Sequence, residues 1–171
     1  LEGVFAKDFC WRSDSGAFAY SARRTVNQFN LYSDIYLKEL GGGGATLTRA
    51  KRARDPEFSR EGDRMLVVRN DVQNNALAAL GIDQRMEALT EETDHTQYSS
   101  PRYSPDGRHI AVSAWKEGQR DLWILSQDGE PVRRLTADTA LDIDPRWSPD
   151  GSKLFFVSDR TGVFNIYAAD L

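Results

Sequence analysis

An all-β fold assembled from four copies of one antiparallel unit is what the sequence predicts, and three observations support it. A segment of about 45 residues recurs four times along the 171-residue chain. Each copy places a short apolar run after a tight-turn signal, which is typical of a β-hairpin. Only residues 73–88 approach a helical spacing of apolar side chains, and there the register of the repeat favours strands.

The four copies align without gaps. They begin 47, 45 and 44 residues apart, at Asp8, Asp55, Ser100 and Asp144. Three positions into each copy stands an aromatic residue, at Trp11, Phe58, Tyr103 and Trp147. Because aromatic side chains bury a large apolar area, we expect this column to fill the space between neighbouring units.

The first two strands of each unit form a hairpin. Its turn is clearest at Asp106-Gly107 and Asp150-Gly151, where glycine supplies the positive φ that a tight turn needs. Ser15 and Glu61-Gly62 are weaker versions of the same turn. The apolar runs behind the turns predict second strands at 18–20, 65–68, 110–112 and 154–157.

Two further columns mark a third and a fourth strand. The third is predicted at 34–36, 75–77, 121–123 and 165–167, and the fourth at 47–48, 89–90 and 135–136. Four antiparallel strands in one repeat make a blade of a β-propeller. The sequence therefore predicts a single propeller region over residues 1–171, with blades at about 8–48, 55–90, 100–136 and 144–171.

The full pattern identifies a family. D-P-x-W-S-P-D-G, an apolar strand, S-D-R-x-G, N-I-Y and L-T together resemble the repeat of the TolB-like β-propellers, which include propellers attached to some serine peptidases. The third and fourth copies match closely, whereas the first has Phe9 in place of proline and Ser15 in place of glycine. The resemblance implies a bacterial, exported, periplasmic protein and a complete ring of roughly six or more blades.

Two hypotheses describe how the ring is completed. The fourth copy stops at Leu171, at the end of its third strand, so Leu1 to Ala6 would supply its outer strand and close the ring. Alternatively, and favoured by the resemblance, the four blades are an arc of a larger ring. An arc exposes strand edges and blade faces, which another copy of the chain or more chain would have to bury.

Composition excludes several classes of protein. The formal net charge of −4 argues against a nucleic-acid partner. No apolar run is long enough for a membrane helix. A single cysteine, Cys10, rules out an intrachain disulfide and a zinc site of several thiolates, and no motif predicts a cofactor.

The sequence predicts a non-catalytic protein whose partner is a protein or a peptide. A hydrolase would need a nucleophile on a sharp elbow, and there is no G-x-S-x-G. The only histidines are His95 and His109, of which His95, between two blades, is placed to face a ligand. The alternative is the regulatory propeller of a larger serine peptidase. A lyase with channel-lining catalytic groups is a third possibility, but it would need more histidines or metal ligands.

We expect the partner to bind the face that carries the blade-to-blade loops. A basic run, comprising Arg49, Lys51, Arg52 and Arg54, lies between the first two blades and would recognise an acidic partner or a phosphate, whereas its simpler interpretation, which we favour, is a solvated loop. The longest loop, 23–31, reaches the same face. Trp115, Lys116 and Arg120 add an aromatic side chain and two cations, a combination enriched at protein interfaces.

A cluster of carboxylates precedes the fourth blade. Asp138, Asp142 and Asp144 are weak candidates for a calcium site, because their spacing lacks the glycine and the distal glutamate of a calcium loop. Asp144 also shares its column with Asp8 and Asp55. A side-chain oxygen there would cap the turn that enters the inner strand, so we favour a structural role.

Overall fold

Four separate antiparallel sheets make up the protein. The computed structural model describes residues 6–26, 28, 30–71, 74–91 and 95–171. Within them the strands are β1 (Ala6–Trp11), β2 (Ala17–Val26), β3 (Asn30–Glu39), β4 (Gly44–Thr46), β5 (Ala53–Phe58), β6 (Arg64–Asn70), β7 (Asn75–Gly81), β8 (Met86–Ala88), β9 (Gln97–Tyr103), β10 (His109–Lys116), β11 (Gln119–Ser126), β12 (Pro131–Arg134), β13 (Asp142–Trp147), β14 (Lys153–Ser158) and β15 (Asn165–Asp170).

Each sheet is one blade, which confirms the predicted all-β propeller. Blades one, two and three each hold four strands in sequence order, and the described part of blade four holds β13, β14 and β15. None of the described residues forms a helix, so none of them provides an apolar helix that would span a membrane.

Serine and aspartate build the turns between the inner two strands. In blade four the hydroxyl of Ser148 donates to Asp150 Oδ1, and the backbone N–H groups of Ser152 and Lys153 donate to Asp150 Oδ1 and Ser148 Oγ. These hydrogen bonds stabilise the ionised carboxylate and lower the pKa of Asp150 to about 2. Gly151 completes the turn with a φ of 74°. The S-P-D-G motif is therefore structural.

The leucine–threonine pairs lie just outside the strands they were predicted to form. The fourth strands end at Thr46, Ala88 and Arg134, directly before those pairs. There the threonine hydroxyl, rather than a backbone carbonyl oxygen, accepts a hydrogen bond from an N–H of the third strand. The three bonds measure 2.9 to 3.0 Å and join Ile35 to Thr48, Leu77 to Thr90 and Leu122 to Thr136.

Removing one of these hydroxyls should destabilise the protein. Thr136→Val leaves the buried N–H of Leu122 without its acceptor, and we expect a loss of about 1–2 kcal/mol in the free energy of unfolding. Urea denaturation followed by tryptophan fluorescence measures this loss. Thr139→Val, at an exposed threonine of the same loop, is the matched control and should change the value by less than about 0.5 kcal/mol.

The predicted 23–31 loop is largely strand. β2 and β3 are ten residues each and remain paired from Ala17 opposite Glu39 to Val26 opposite Asn30. The second and third strands of the other blades are only six to eight residues long. The prediction was wrong because the extra residues of the first copy were assigned to the loop, whereas most of them lengthen the two strands. Blade one therefore projects beyond its neighbours.

Three apolar clusters hold consecutive blades together. Ile35 and Met65 belong to the cluster between blades one and two, Leu77 and Ile110 to the next, and Leu122 and Phe156 to the last. The aromatic column follows the same scheme, since Phe58, Tyr103 and Trp147 pack into the three clusters. Trp11 is 51% exposed, because no described blade precedes it.

The two ends of the described arc are apart. No strand of blade one contacts a strand of blade four among the described residues. Apolar side chains accordingly remain exposed on the outer faces of both blades, including Trp11 and Ile166, the latter 76% exposed. Ala6 belongs to β1 and pairs with Ala22. Residues 1–5 lie outside the described residues, so closure of the ring by the N-terminal segment stays a prediction.

Candidate partner-binding site

One end of the blades collects the connections that vary most. In blades one to three the second strands end there and the third strands begin there, and the crossovers 47–52 and 135–141 lie there too, as the order of antiparallel strands in a blade requires. We call this end the upper face. It carries every residue of the predicted basic run.

A cleft opens on the upper face between blades one and two. Its volume is about 950 Å³, and its walls come from β1, β2 and β3 on one side and from the strand entering blade two on the other. Four cations line it: Lys7, Arg23, Arg52 and Arg54. Leu31 and Tyr32 add an apolar and an aromatic wall, and Asp8 is the carboxylate among the lining residues. We call this the basic cleft.

The upper halves of β2 and β3 form one wall of the basic cleft. Arg23, opposite Ser33 in that ladder, lines the cleft together with Arg52 of the crossover to blade two. At the next junction the corresponding space is filled. There the side-chain amide of Asn75 donates to the backbone oxygen of Tyr98 at 3.0 Å and accepts from its N–H at 2.6 Å.

Asp34 fixes the crossover that presents Arg52. This carboxylate is fully buried and accepts hydrogen bonds from Thr48 Oγ1 at 2.8 Å, from the N–H of Ala50 at 3.0 Å and from the N–H of Lys51 at 3.2 Å. Arg24 Nε lies 3.8 Å from its other side. A crossover tied at consecutive amides has little freedom, so the basic run has a defined conformation.

Tyr32 orients Arg52 within the cleft. The guanidinium lies 4.4 Å from the centre of the tyrosine ring, and Nη2 donates to the tyrosine hydroxyl at 3.0 Å. A cation held against an aromatic face keeps its charge while losing few conformations on binding. Arg52 is therefore preorganised to receive an anion.

Arg54 connects blades two and three. Its guanidinium pairs with Asp55 and donates to the backbone oxygen of Tyr98 at 3.1 Å. Arg120 donates to Ser99 Oγ at 2.8 Å nearby, and burial together with the charge of Arg54 lowers the pKa of Arg120. The structure thus brings these two predicted site residues close together.

The other predicted residues lie apart from the basic cleft. Arg49 and Lys51 are exposed on the outside of the same crossover. Trp115 is 39% exposed and stands opposite Arg120 in the β10–β11 hairpin, and Lys116 lines a smaller recess beside it. His95 is exposed, with Nδ1 3.2 Å from the side-chain oxygen of Asn74.

An arginine forms ion pairs with two of the three carboxylates that the sequence marked as candidates for a calcium site. Arg160 Nη2 lies 3.1 Å from Asp142 Oδ1 and 3.5 Å from Asp138 Oδ2. Asp144 lies elsewhere, where it accepts a hydrogen bond of 2.7 Å from the hydroxyl of Ser100. In the described parts of the chain no three carboxylates, histidines or cysteines are grouped to hold a metal ion.

The inner strands line a second recess, of about 550 Å³, around the axis of the propeller. Asp8 and Asp55 meet at its mouth, and burial together with the Asp55 carboxylate raises the pKa of Asp8. Deeper in the recess Glu57 lies 3.6 Å from Arg102, and burial raises the pKa of this glutamate. Arg146 lines the recess beside them, where partial desolvation and the charge of Arg102 lower its pKa.

Sequence reasoning missed the charged lining of this recess. Glu57, Arg102 and Arg146 all occupy the variable position in the repeat's D-P-x-W motif, so variation within a constant motif was the available signal. It also missed Lys7, Arg23 and Tyr32 in the basic cleft. Lys7 comes from β1, and Arg23 and Tyr32 come from the upper halves of β2 and β3, so the three meet only through the pairing of strands.

The fold defines the class of protein, a β-propeller, in which four cations line a cleft between two blades. A sequence profile described as the TolB beta propeller domain matches residues 56–171, and the chain belongs to that family. A curated relative, the "Protein TolB homolog" of Chlorobium luteolum, is 27% identical over 143 residues, which are 82% of this chain and 32% of the relative. The "Tol-Pal system protein TolB" of Anaeromyxobacter dehalogenans is 51% identical over 45 residues, 26% of this chain and 10% of that protein.

Solved structures show the same fold. The putative TolB of Agrobacterium tumefaciens superposes with a TM-score of 0.83 at 26% identity, over 97% of this chain and 62% of that one. TolB of Acinetobacter baumannii gives 0.79 at 22% identity, over 98% and 41%. The acylaminoacyl peptidase of Pyrococcus horikoshii gives 0.69 at 15% identity, over 97% and 26%. The chain thus spans about a third of its first curated relative and less than two thirds of these structures.

Proposed function

We propose that this chain is part of a non-catalytic scaffold that binds a protein or a peptide on the upper face of its propeller. The observation that supports this most directly is the basic cleft, in which a fully buried aspartate and a tyrosine hold Arg52 in place. Preorganised side chains on a rigid frame reduce the entropy lost on binding. The relative from Anaeromyxobacter dehalogenans is named as a TolB protein of the Tol-Pal system, which supports a role in a system of several proteins.

A location in the periplasm follows from the same relatives and belongs to the proposal. Its non-catalytic character rests on the family and on a sequence without a nucleophile elbow.

The exposed outer faces of blades one and four also suit burial against more chain or against a second copy. Sedimentation of the purified chain would distinguish these, since a second copy makes the sedimentation coefficient depend on concentration.

The alternative is a regulatory propeller of a serine peptidase. The structures of peptidases that resemble this chain support it only at the level of the fold, at identities of 13 to 22%. The parent gene distinguishes the two functions, because a peptidase would encode a catalytic domain with a nucleophile elbow beside the propeller.

Substitution on the two faces tests the proposed function. A partner isolated from an extract of the source organism on the immobilised chain is purified and its Kd measured by calorimetry. We expect Arg52→Ala combined with Trp115→Ala to weaken binding at least about tenfold, or about 1.4 kcal/mol. Arg60→Ala combined with Arg108→Ala, on the opposite face, is the control and should leave Kd within about twofold. Equal effects on both faces would refute binding at the upper face.

A further inference from the structure

The basic cleft carries a positive charge although the whole chain has a negative net charge. The chain carries a formal net charge of −4, yet the lining of this one cleft brings four cations together with one carboxylate. Neighbouring like charges raise the electrostatic potential of a concave surface and attract ions of opposite sign. The potential of the cleft therefore favours an anionic group.

Three of the four cations have donor groups to spare. Arg52 uses one N–H for the Tyr32 hydroxyl, and a guanidinium carries five such donors. Lys7 and Arg23 are exposed, and neither forms an ion pair with another described residue. Arg54, by contrast, is engaged by Asp55 and Tyr98. Arg23 and Arg52 therefore line the same cleft, each with N–H donors available for an anion.

The carboxylate in the cleft does not neutralise them. Asp8 accepts a hydrogen bond of 3.1 Å from the hydroxyl of Ser21 and lies toward Asp55 at the propeller axis. Burial and that second carboxylate raise its pKa, so its negative charge is less stable than that of an exposed carboxylate. Among the described residues no ion pair joins Asp8 to Arg23 or Arg52.

The size and walls of the cleft indicate what kind of anion it fits. A volume of about 950 Å³ is at the upper end for pockets that bind small molecules, and it holds several residues of an extended chain. Leu31, 64% exposed, offers an apolar surface next to the arginines. An acidic peptide with an apolar side chain between its carboxylates matches both surfaces, whereas an isolated phosphate leaves Leu31 uncovered.

We infer that the basic cleft binds an extended acidic segment of the partner, with carboxylates at Arg23 and Arg52 and an apolar side chain on Leu31. This inference rests on the proposed function and specifies the chemistry of its partner.

Two labelled peptides and two double variants test it. The probes are a fluorescein-labelled peptide of three Glu-Leu-Glu-Gly repeats and its counterpart with every Glu replaced by Gln, measured by fluorescence anisotropy at 50 and 300 mM salt. We expect the acidic peptide to bind at least about tenfold more tightly than the neutral one at the lower salt, and less tightly at the higher.

The variants separate the cleft from the overall charge. R23E/R52E should weaken binding of the acidic peptide at least about tenfold, whereas R49E/K51E, with the same change in net charge on the same upper face, should change it less than about threefold. Arg23→Glu alone, at an exposed residue, reports on the cleft even if the double variant folds poorly, and should weaken binding about three- to tenfold.

Equal losses of affinity in the two double variants would overturn the inference, because the peptide would then respond only to the net charge of the upper face. Equal binding of the acidic and neutral peptides would overturn it too. Neither result would contradict the proposed function, which fails if the Arg52→Ala and Trp115→Ala pair and the Arg60→Ala and Arg108→Ala pair affect binding of the natural partner equally. The two failures are therefore distinguishable.

Discussion

Asp34→Ala is expected to lower the free energy of unfolding by about 3 kcal/mol. The carboxylate is fully buried, and it accepts hydrogen bonds from one hydroxyl and two backbone N–H groups while Arg24 lies beside it. Alanine removes all the acceptors at once and leaves the donors of the crossover without partners. Hydrogen bonds to a charged group contribute more than neutral ones, which places this loss among the larger effects of a single substitution.

Two comparisons show whether the carboxylate itself causes the loss. Asp34→Asn keeps one oxygen acceptor, so we expect roughly half the loss. Asp128→Ala, at an exposed aspartate in a turn of blade three, should change the free energy by less than about 0.5 kcal/mol. Urea denaturation measures all three variants. Equal stability of Asp34→Ala and Asp128→Ala would contradict the assignment of Asp34 as the residue that fixes the crossover.

The same substitution links stability to the site. The crossover that Asp34 holds continues directly to Arg52, whose orientation depends on the position of that backbone relative to Tyr32. Loosening the crossover therefore lets the guanidinium leave the ring. A structural residue with no contact to the partner thus determines how well the basic cleft is formed.

The repeat predicted the blades because their signals are local. A Ser-Pro-Asp-Gly turn satisfies its own polar groups within five residues, from Ser148 to Lys153, so its sequence alone predicts its structure. The role of Asp34 is different, since its partners lie 14 to 17 residues further along the chain. The sequence could place Asp34 in a third strand, but it could not show which groups would donate hydrogen bonds to its carboxylate.

The basic cleft was predictable only in part, for a similar reason. The run that contains Arg52 and Arg54 is visible as local charge in the sequence. Arg23 and Tyr32 join it because the register of β2 and β3 sets Arg23 opposite Ser33 and Arg24 opposite Tyr32, and that register depends on ten residue pairs. The hairpin of blade one also extends further than that of blade two, a difference that no motif of the repeat marks.

Gly129→Ala is expected to cost about 4 kcal/mol, the larger of the two effects on stability. Gly129 lies in the turn between β11 and β12 with a φ of 90°, a conformation that strains any residue with a Cβ. A Cβ at this position would also overlap the backbone oxygen of Leu89, and it would stand 2.7 Å from the carbonyl carbon of Leu89. Backbone cannot move aside as a flexible side chain can, so blade three has to shift against blade two.

Gly118→Ala separates these two causes. Gly118 has a φ of 85°, and a Cβ there meets no atom within 4 Å, so alanine brings only the backbone strain, about 1–2 kcal/mol. The difference between the two variants in urea denaturation is the free energy of the collision with Leu89. Equal losses of unfolding free energy in the two variants would mean that the junction of blades two and three relaxes around the added Cβ of Gly129→Ala. Because that junction is also tied by Asn75 and Arg54 to Tyr98, we expect it to be rigid and the difference to remain.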